Sequence, residues 1–250
     1  MISLQTLKTR SLKKRSDAEL FVDRFFARRV SIYVTWLLVH TPFSANQVTV
    51  ASMLLMIAGT AWLAVNTWWA PAAGAALMLI GYVLDCCDGE IARFRSQTSL
   101  RGVYLDTLAH AITIPAMFAG LGIGQMLRHG TVESLALGII AAIAATNPAR
   151  AAFAALAGKT GTAADQVNAK PAPANPTKAF YLKTIARILI FPNSMFVICA
   201  AALADSLLLR EARHGAIYTV VAFYGVFLAL EQIAAAVSWS REERLKQGGQ

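Results

Sequence analysis

Residues 84–110 read LDCCDGEIARFRSQTSLRGVYLDTLAH. Asp85, Asp88 and Asp106 stand in this stretch with Arg93, Arg95 and Arg101 between them. The flanks carry no charge: APAAGAALMLIGYVL (70–84) on one side and AITIPAMFAGLGIGQML (111–127) on the other. Acids bordered by such flanks need a reason, and that reason decides both the fold and the chemistry.

The whole chain shares the character of the flanks. Of its 250 residues 56% are hydrophobic and 15% charged, and the mean hydropathy is +0.51. Soluble domains carry about 25% charged residues, so this chain reads as an integral membrane protein. A spanning helix needs roughly 20 mostly apolar residues. Six stretches qualify, at about 46–66, 70–88, 103–127, 132–156, 184–205 and 214–238. The expected fold is all-α, with six transmembrane helices. Pro148 predicts a kink in the fourth span. The small residues of that span, and GLGIG (120–124) in the third, suit close helix packing or a dimer face.

Charge sets the expected orientation. The net charge is +9. Lys8, Arg10, Lys13, Lys14, Arg15, Arg24, Arg28 and Arg29 precede the first span, and Arg93, Arg95 and Arg101 join the second to the third. Lys159, Lys170, Lys178 and Lys183 join the fourth to the fifth, and Arg241, Arg244 and Lys246 close the chain. The intervening loops hold only Arg128, Arg210 and Arg213. Basic loops stay cytoplasmic, which places both termini and the acidic stretch on that side. The excess charge is accounted for by loops and anionic lipid and implies no nucleic acid. The start of the chain is basic for too long to read as a signal peptide. Residues 18–40 mix Phe, Leu and Trp with Arg, as an interfacial amphipathic helix does. The expected organisation is a basic segment with a juxtamembrane helix (1–40), a six-helix domain (41–240) and a polar cytoplasmic tail (241–250). Cys86, Cys87 and Cys199 have no metal-ligand spacing and read as packed thiols.

A charge at the centre of a membrane helix costs ~2.5–3.5 kcal/mol on insertion scales, so intramembrane acids normally face a polar cavity and act there. Pairing with Arg93 or Arg101 is the plainer alternative. Asp85 and Asp88 are i,i+3 at the end of the second span; Asp106 and His110 are i,i+4 at the start of the third. A short loop makes these helices antiparallel neighbours whose polar faces meet. Converging carboxylates repel one another without cations, and oxygen ligands suit Mg²⁺ or Mn²⁺ held together with a substrate phosphate. Gly89 removes a side chain where something approaches the backbone, and Arg93 is one turn further on, placed for a phosphate oxygen.

The stretch resembles the signature of the CDP-alcohol phosphotransferase (CDP-alcohol phosphatidyltransferase) family, D-x-x-D-G-x-x-A-R-x8-G-x-x-x-D-x-x-x-D. Asp85, Asp88, Gly89, Ala92, Arg93, Gly102 and Asp106 fill its positions, and His110 stands in place of the last aspartate. SANQVTV (44–50) resembles the family's P-N-x-x-T segment through Asn46 and Thr49, with Ala45 where the family has proline. The resemblance implies a six-helix membrane bundle, commonly a homodimer. It implies transfer of a substituted phosphate from a CDP-linked donor, often CDP-diacylglycerol, to an alcohol with release of CMP. By that analogy Asp85, Asp88, Asp106 and His110 hold two divalent ions, Mg²⁺ or Mn²⁺. Gly89, Ala92, Arg93, Gly102, Asn46 and Thr49 lie against the CDP-linked donor. His110, with Asp106, occupies the position of the catalytic base. The setting implied is phospholipid biosynthesis in a bacterial inner membrane.

His110 leaves three readings open: base, nitrogen ligand favouring Mn²⁺, Zn²⁺ or another transition metal, or the mark of a degenerate site. Glu90 is a weaker substitute ligand because it leaves the Asp85/Asp88 face. Arg150, Lys178, Lys183 and Arg187 suit an acceptor that carries its own phosphate, though positive-inside anchoring explains them equally. A magnesium-dependent transferase of the prenyltransferase type is the rival enzyme, and it would show two separate Asp-rich motifs. A transporter would show polar residues deep in several spans, whereas the middles of spans one, five and six are almost purely apolar, apart from Asn193 and Glu231.

Overall fold

A computed structural model describes residues 4–11, 28–65, 67–146, 193–207 and 215–247. Every regular element among them is an α-helix. They are α1 (Leu4–Ser11), α2 (Arg28–Val39), α3 (Ala45–Ala64), α4 (Ala70–Phe94), α5 (Leu100–His129), α6 (Val132–Ala145), α7 (Asn193–Leu207) and α8 (Gly215–Gln247).

Four of these are long and apolar enough to cross a bilayer: α3, α4, α5 and Gly215–Ala234 of α8. The chain therefore has the make-up of a multi-pass membrane protein. α6 and α7 are apolar but shorter within the described residues. The rest of the expected fourth span, with Pro148, and the start of the fifth lie outside them. Of the expected interfacial helix 18–40, only α2 is described.

Sequence chemistry fixes the helix starts. Ser44 opens α3 with a capping box, accepting from the Gln47 backbone N–H while the Gln47 side chain accepts from the Ser44 N–H. Ser99 opens α5, its hydroxyl accepting from Gly102 N–H at 3.1 Å. Gly130, at φ 70°, ends α5 in the left-handed conformation that glycine adopts without strain. A non-local cap opens α8: the buried Asp205 carboxylate accepts from Ala216 and Ile217 N–H at 3.0 and 2.9 Å.

α4 is the central element. It packs along α3 and also meets α1, α2 and α7, while α5 lies against α3, α6 and α8. Glycine lets these backbones meet. A Cβ on Gly59 of α3 would sit 2.7 Å from the Gly74 carbonyl oxygen of α4, and one on Gly138 of α6 would sit 2.6 Å from the Gly122 Cα of α5. Gly120 and Gly124 press on Thr60 and Leu63 of α3 in the same way, so GLGIG is used for packing within the chain. The core between the helices holds Met56, Leu63, Met78, Tyr82, Phe118, Leu121, Met195, Ile198 and Tyr224.

Candidate metal centre and active site

α4 ends and α3 and α5 begin at one end of the bundle, and the acidic stretch spans that junction. Both helices run further than hydropathy suggested, α4 to Phe94 and α5 from Leu100, so all the signature residues except the linking loop are helical. The loop closes through Gln97 N–H on the Ala92 carbonyl at 2.8 Å, with Ser96 at φ 53°. Ala92 thus serves the end of α4 through its backbone.

Asp85, Asp106 and His110 come together. One ligand atom from each can be chosen so that all lie within 4.8 Å of one another. His110 Nε2 is 3.4 Å from Asp85 Oδ2, and His110 Nδ1 is 3.3 Å from Asp106 Oδ1. Nδ1 is also 2.9 Å from the Asp106 backbone carbonyl. A carbonyl oxygen only accepts, so Nδ1 carries the proton. In the neutral ring the lone pair is then on Nε2, aimed at Asp85, where a cation or an acceptor proton would be met. Two carboxylates and one such imidazole, all partly accessible, form a donor set that fits a divalent ion.

Asp88 stands beside the trio and not in it. It is buried, within electrostatic reach of Asp85 and Asp106, and Oδ2 accepts from Thr49 Oγ1 at 2.5 Å. Thr49, expected against the donor, is 4% exposed, and its hydroxyl lies between Asp88 Oδ2, the nearer acceptor, and the Ala45 carbonyl at 3.1 Å. Arg93 folds back: its Nε donates to the Ser11 carbonyl at 2.5 Å, and an added Cβ on Gly89 would lie 3.0 Å from its Nη1. Gly89 therefore makes room for Arg93. Gly102 meets no backbone closely, since an added Cβ would touch Asn46 Oδ1 and Ser99 Oγ at an ordinary 3.5 Å. Arg150, Lys178, Lys183 and Arg187 lie outside the described residues.

Three supports escaped the sequence reading. Glu90, 2% exposed, accepts from Ser31 Oγ at 2.7 Å and Thr35 Oγ1 at 2.6 Å. It therefore faces α2, on the side of α4 away from Asp85 and Asp88. Cys87 Sγ donates to the Ser31 carbonyl at 3.4 Å on that same side. Arg95 donates to the Phe43, Val39 and Thr41 carbonyls and ties the α2–α3 turn to the end of α4. The available signal was the Ser31/Thr35 pair, i,i+4 on a helix beside a lone buried acid.

The profile of the CDP-alcohol phosphatidyltransferase family matches residues 43–209, which contain the entire cluster. The chain belongs to this family. Among curated relatives, the bifunctional IPC transferase and DIPP synthase of Aquifex aeolicus is 35% identical over 88 residues, 35% of this chain and 19% of that protein. The protein of the same description from Rubrobacter xylanophilus is 33% identical over 91 residues, 36% of this chain and 20% of that protein. The matched segment thus spans about a fifth of the length of these curated relatives of the CDP-alcohol phosphatidyltransferase family member described here.

Proposed function

We propose that this protein transfers a substituted phosphate from a CDP-linked donor, CDP-diacylglycerol, to an alcohol or phospho-alcohol, releasing CMP in phospholipid biosynthesis. The observation that carries the reading is the meeting of Asp85, Asp106 and His110 inside the family's matched segment. The acceptor hydroxyl oxygen bonds to the donor's β-phosphorus. The bond from that phosphorus to the oxygen bridging it to the CMP phosphate breaks, and CMP leaves. The hydroxyl proton passes to an Asp106 oxygen, or to His110 Nε2 where that nitrogen holds no metal. Asp85, Asp106 and His110 would hold a divalent ion, and Asp88, oriented by Thr49, a second one. Bound there, Mg²⁺ or Mn²⁺ neutralises the diphosphate and stabilises the departing CMP.

The protein's own share is positioning. Thr49 orients Asp88, the Asp106 carbonyl fixes the His110 ring, and the acids themselves are mounted on helices rather than on loops. Arg93 becomes a phosphate ligand when it leaves Ser11, and Asn46, Gly89, Ala92 and Gly102 border the donor. Arg150, Lys183 and Arg187 take a phosphate on the acceptor. The wider reading is a six-span homodimer in a bacterial inner membrane, with both termini and the site cytoplasmic.

The test offers purified protein CDP-diacylglycerol, Mg²⁺ or Mn²⁺, and a panel of alcohols and phospho-alcohols, and follows CMP. Acceptor-dependent CMP is expected. If CMP does not form with any acceptor and CDP also fails to bind, the catalytic reading falls and the histidine marks a degenerate site.

A further inference from the structure

The grip on Arg93 comes from outside the family's matched segment. That segment begins at residue 43, whereas α1 spans Leu4–Ser11. α1 packs against α4 and α2. Its last residue, Ser11, is fully buried, and the Ser11 backbone carbonyl accepts from Arg93 Nε at 2.5 Å. Carbonyls at a helix C-terminus carry partial negative charge and favour a cation there. The guanidinium lies back over Gly89, the neighbour of Asp88. A phosphate gripped through the Nε edge of a guanidinium needs the donor that Ser11 occupies. α1 and a substrate phosphate therefore compete for one arginine.

α1 has one apolar face and two surfaces that suit it. Leu4, Leu7 and Ser11 share that face. Leu7 and Ser11 are fully buried, while Gln5, Thr6, Thr9 and Arg10 are exposed. Isolated helices shorter than about 12–15 residues are marginal in water, so the 8 residues of α1 need a support to stay helical. α4 is one support, and lipid is the other. Residues 1–16 hold Lys8, Arg10, Lys13, Lys14 and Arg15 and no acid. Leucines on one side of a helix whose charge is all basic are what an anionic bilayer surface takes up. The seat of α1 is near the end of α4, a helix long enough to cross a bilayer, so such a surface is close by. Leu7 cannot be buried within the protein and in lipid at once.

We propose that α1 is an autoinhibitory latch. Seated on α4, it keeps Arg93 from the substrate's phosphate, and an anionic lipid surface releases Arg93 by taking up α1. The inference rests on the transferase reading and adds to it a control by the charge of the surrounding membrane.

The test compares CMP release by the full-length protein in nanodiscs of phosphatidylcholine alone and of phosphatidylcholine with phosphatidylserine. A binding-competent fraction of about one in ten raises KM about tenfold. Phosphatidylserine should therefore lower KM for the CDP-linked donor by about that factor and leave kcat unchanged. Leu7→Asp, which unseats α1, should show the low KM in phosphatidylcholine alone and gain nothing from phosphatidylserine. Lys8→Gln/Arg10→Gln should match the wild type in phosphatidylcholine and lose most of the response. The place of α1 is read separately, by p-benzoylphenylalanine introduced at Leu4. It should crosslink to α4 or α2 in phosphatidylcholine and to lipid when phosphatidylserine is present. A raised KM in Leu7→Asp, which would make α1 a support for Arg93, overturns the proposal. So does a wild type indifferent to phosphatidylserine, and these wild-type measurements decide alone if Leu7→Asp does not fold. CMP release with the crosslink unmoved sinks the latch and leaves the transferase standing. A crosslink that moves while no nanodisc yields CMP sinks the transferase and leaves a lipid-released α1.

Discussion

His110 is the residue on which the chemistry turns. Its Nδ1 is committed to a backbone carbonyl and its Nε2 faces Asp85. A nitrogen in the set shifts preference away from Mg²⁺ and towards Mn²⁺ and later metals. The expected outcome is higher CMP release with Mn²⁺ than with Mg²⁺, and a reversal of that order in His110→Asp; metal titrations of both proteins check it. His110→Ala should lower kcat by ~10²-fold or more, the usual weight of a positioned acid or base. Asp88 offers a second test. Thr49→Val removes a side-chain donor to that buried carboxylate, a bond to a charged group worth ~1.5–3 kcal/mol. Mn²⁺ affinity measured by electron paramagnetic resonance should fall while the helical circular dichroism stays unchanged.

At the scale of elements, α4 is fixed in rotation from two sides. Thr49 of α3 holds Asp88, and Ser31 and Thr35 of α2 hold Glu90. Truncating Glu90 to Ala leaves two buried hydroxyls without their acceptor, at ~1–3 kcal/mol for each unsatisfied group. Glu90→Ala should lower the thermal midpoint in detergent, and Glu90→Gln should lower it less. Gly59→Leu tests the other contact: the new side chain meets the Gly74 carbonyl, and forced overpacking costs about 1–3 kcal/mol, so this variant too should melt earlier. Legibility follows the same lines. The acidic stretch located the junction of α4 and α5 because i,i+3 and i,i+4 spacing survives inside a membrane helix. The expected spans stop at 88 and start at 103, inside the helices, because hydropathy breaks at the acids while the backbone ladder continues to Phe94 and restarts at Leu100. The side of α2 that faces the protein was not legible. Its buried side carries Ser31, Ile32 and Thr35, and Tyr33 and Leu37 point outward. Amphipathicity cannot announce a helix whose hydroxyls face the protein and whose apolar side chains point outward.

For the whole molecule, four helices that can span a bilayer agree with a multi-pass chain, and the proposed cytoplasmic site rests on the basic loops. A cysteine placed at Gln97, in the loop between α4 and α5, should react with a membrane-impermeant maleimide in inverted vesicles and stay protected in intact cells. The carboxylate–imidazole cluster could be read from spacing, except that Asp88 was expected inside it; only the packing of α3 on α4 reveals that Thr49 holds that carboxylate to one side. The central claim is that Asp85, Asp106 and His110 form a metal-dependent phosphotransfer site. Its most direct test is CMP release from CDP-diacylglycerol, titrated with Mn²⁺, in the wild-type protein and in Asp106→Asn. Metal-saturable, acceptor-dependent CMP that is lost in Asp106→Asn and abolished by chelator is the predicted result. CMP release equal in the two proteins, or indifferent to chelator, would contradict the account.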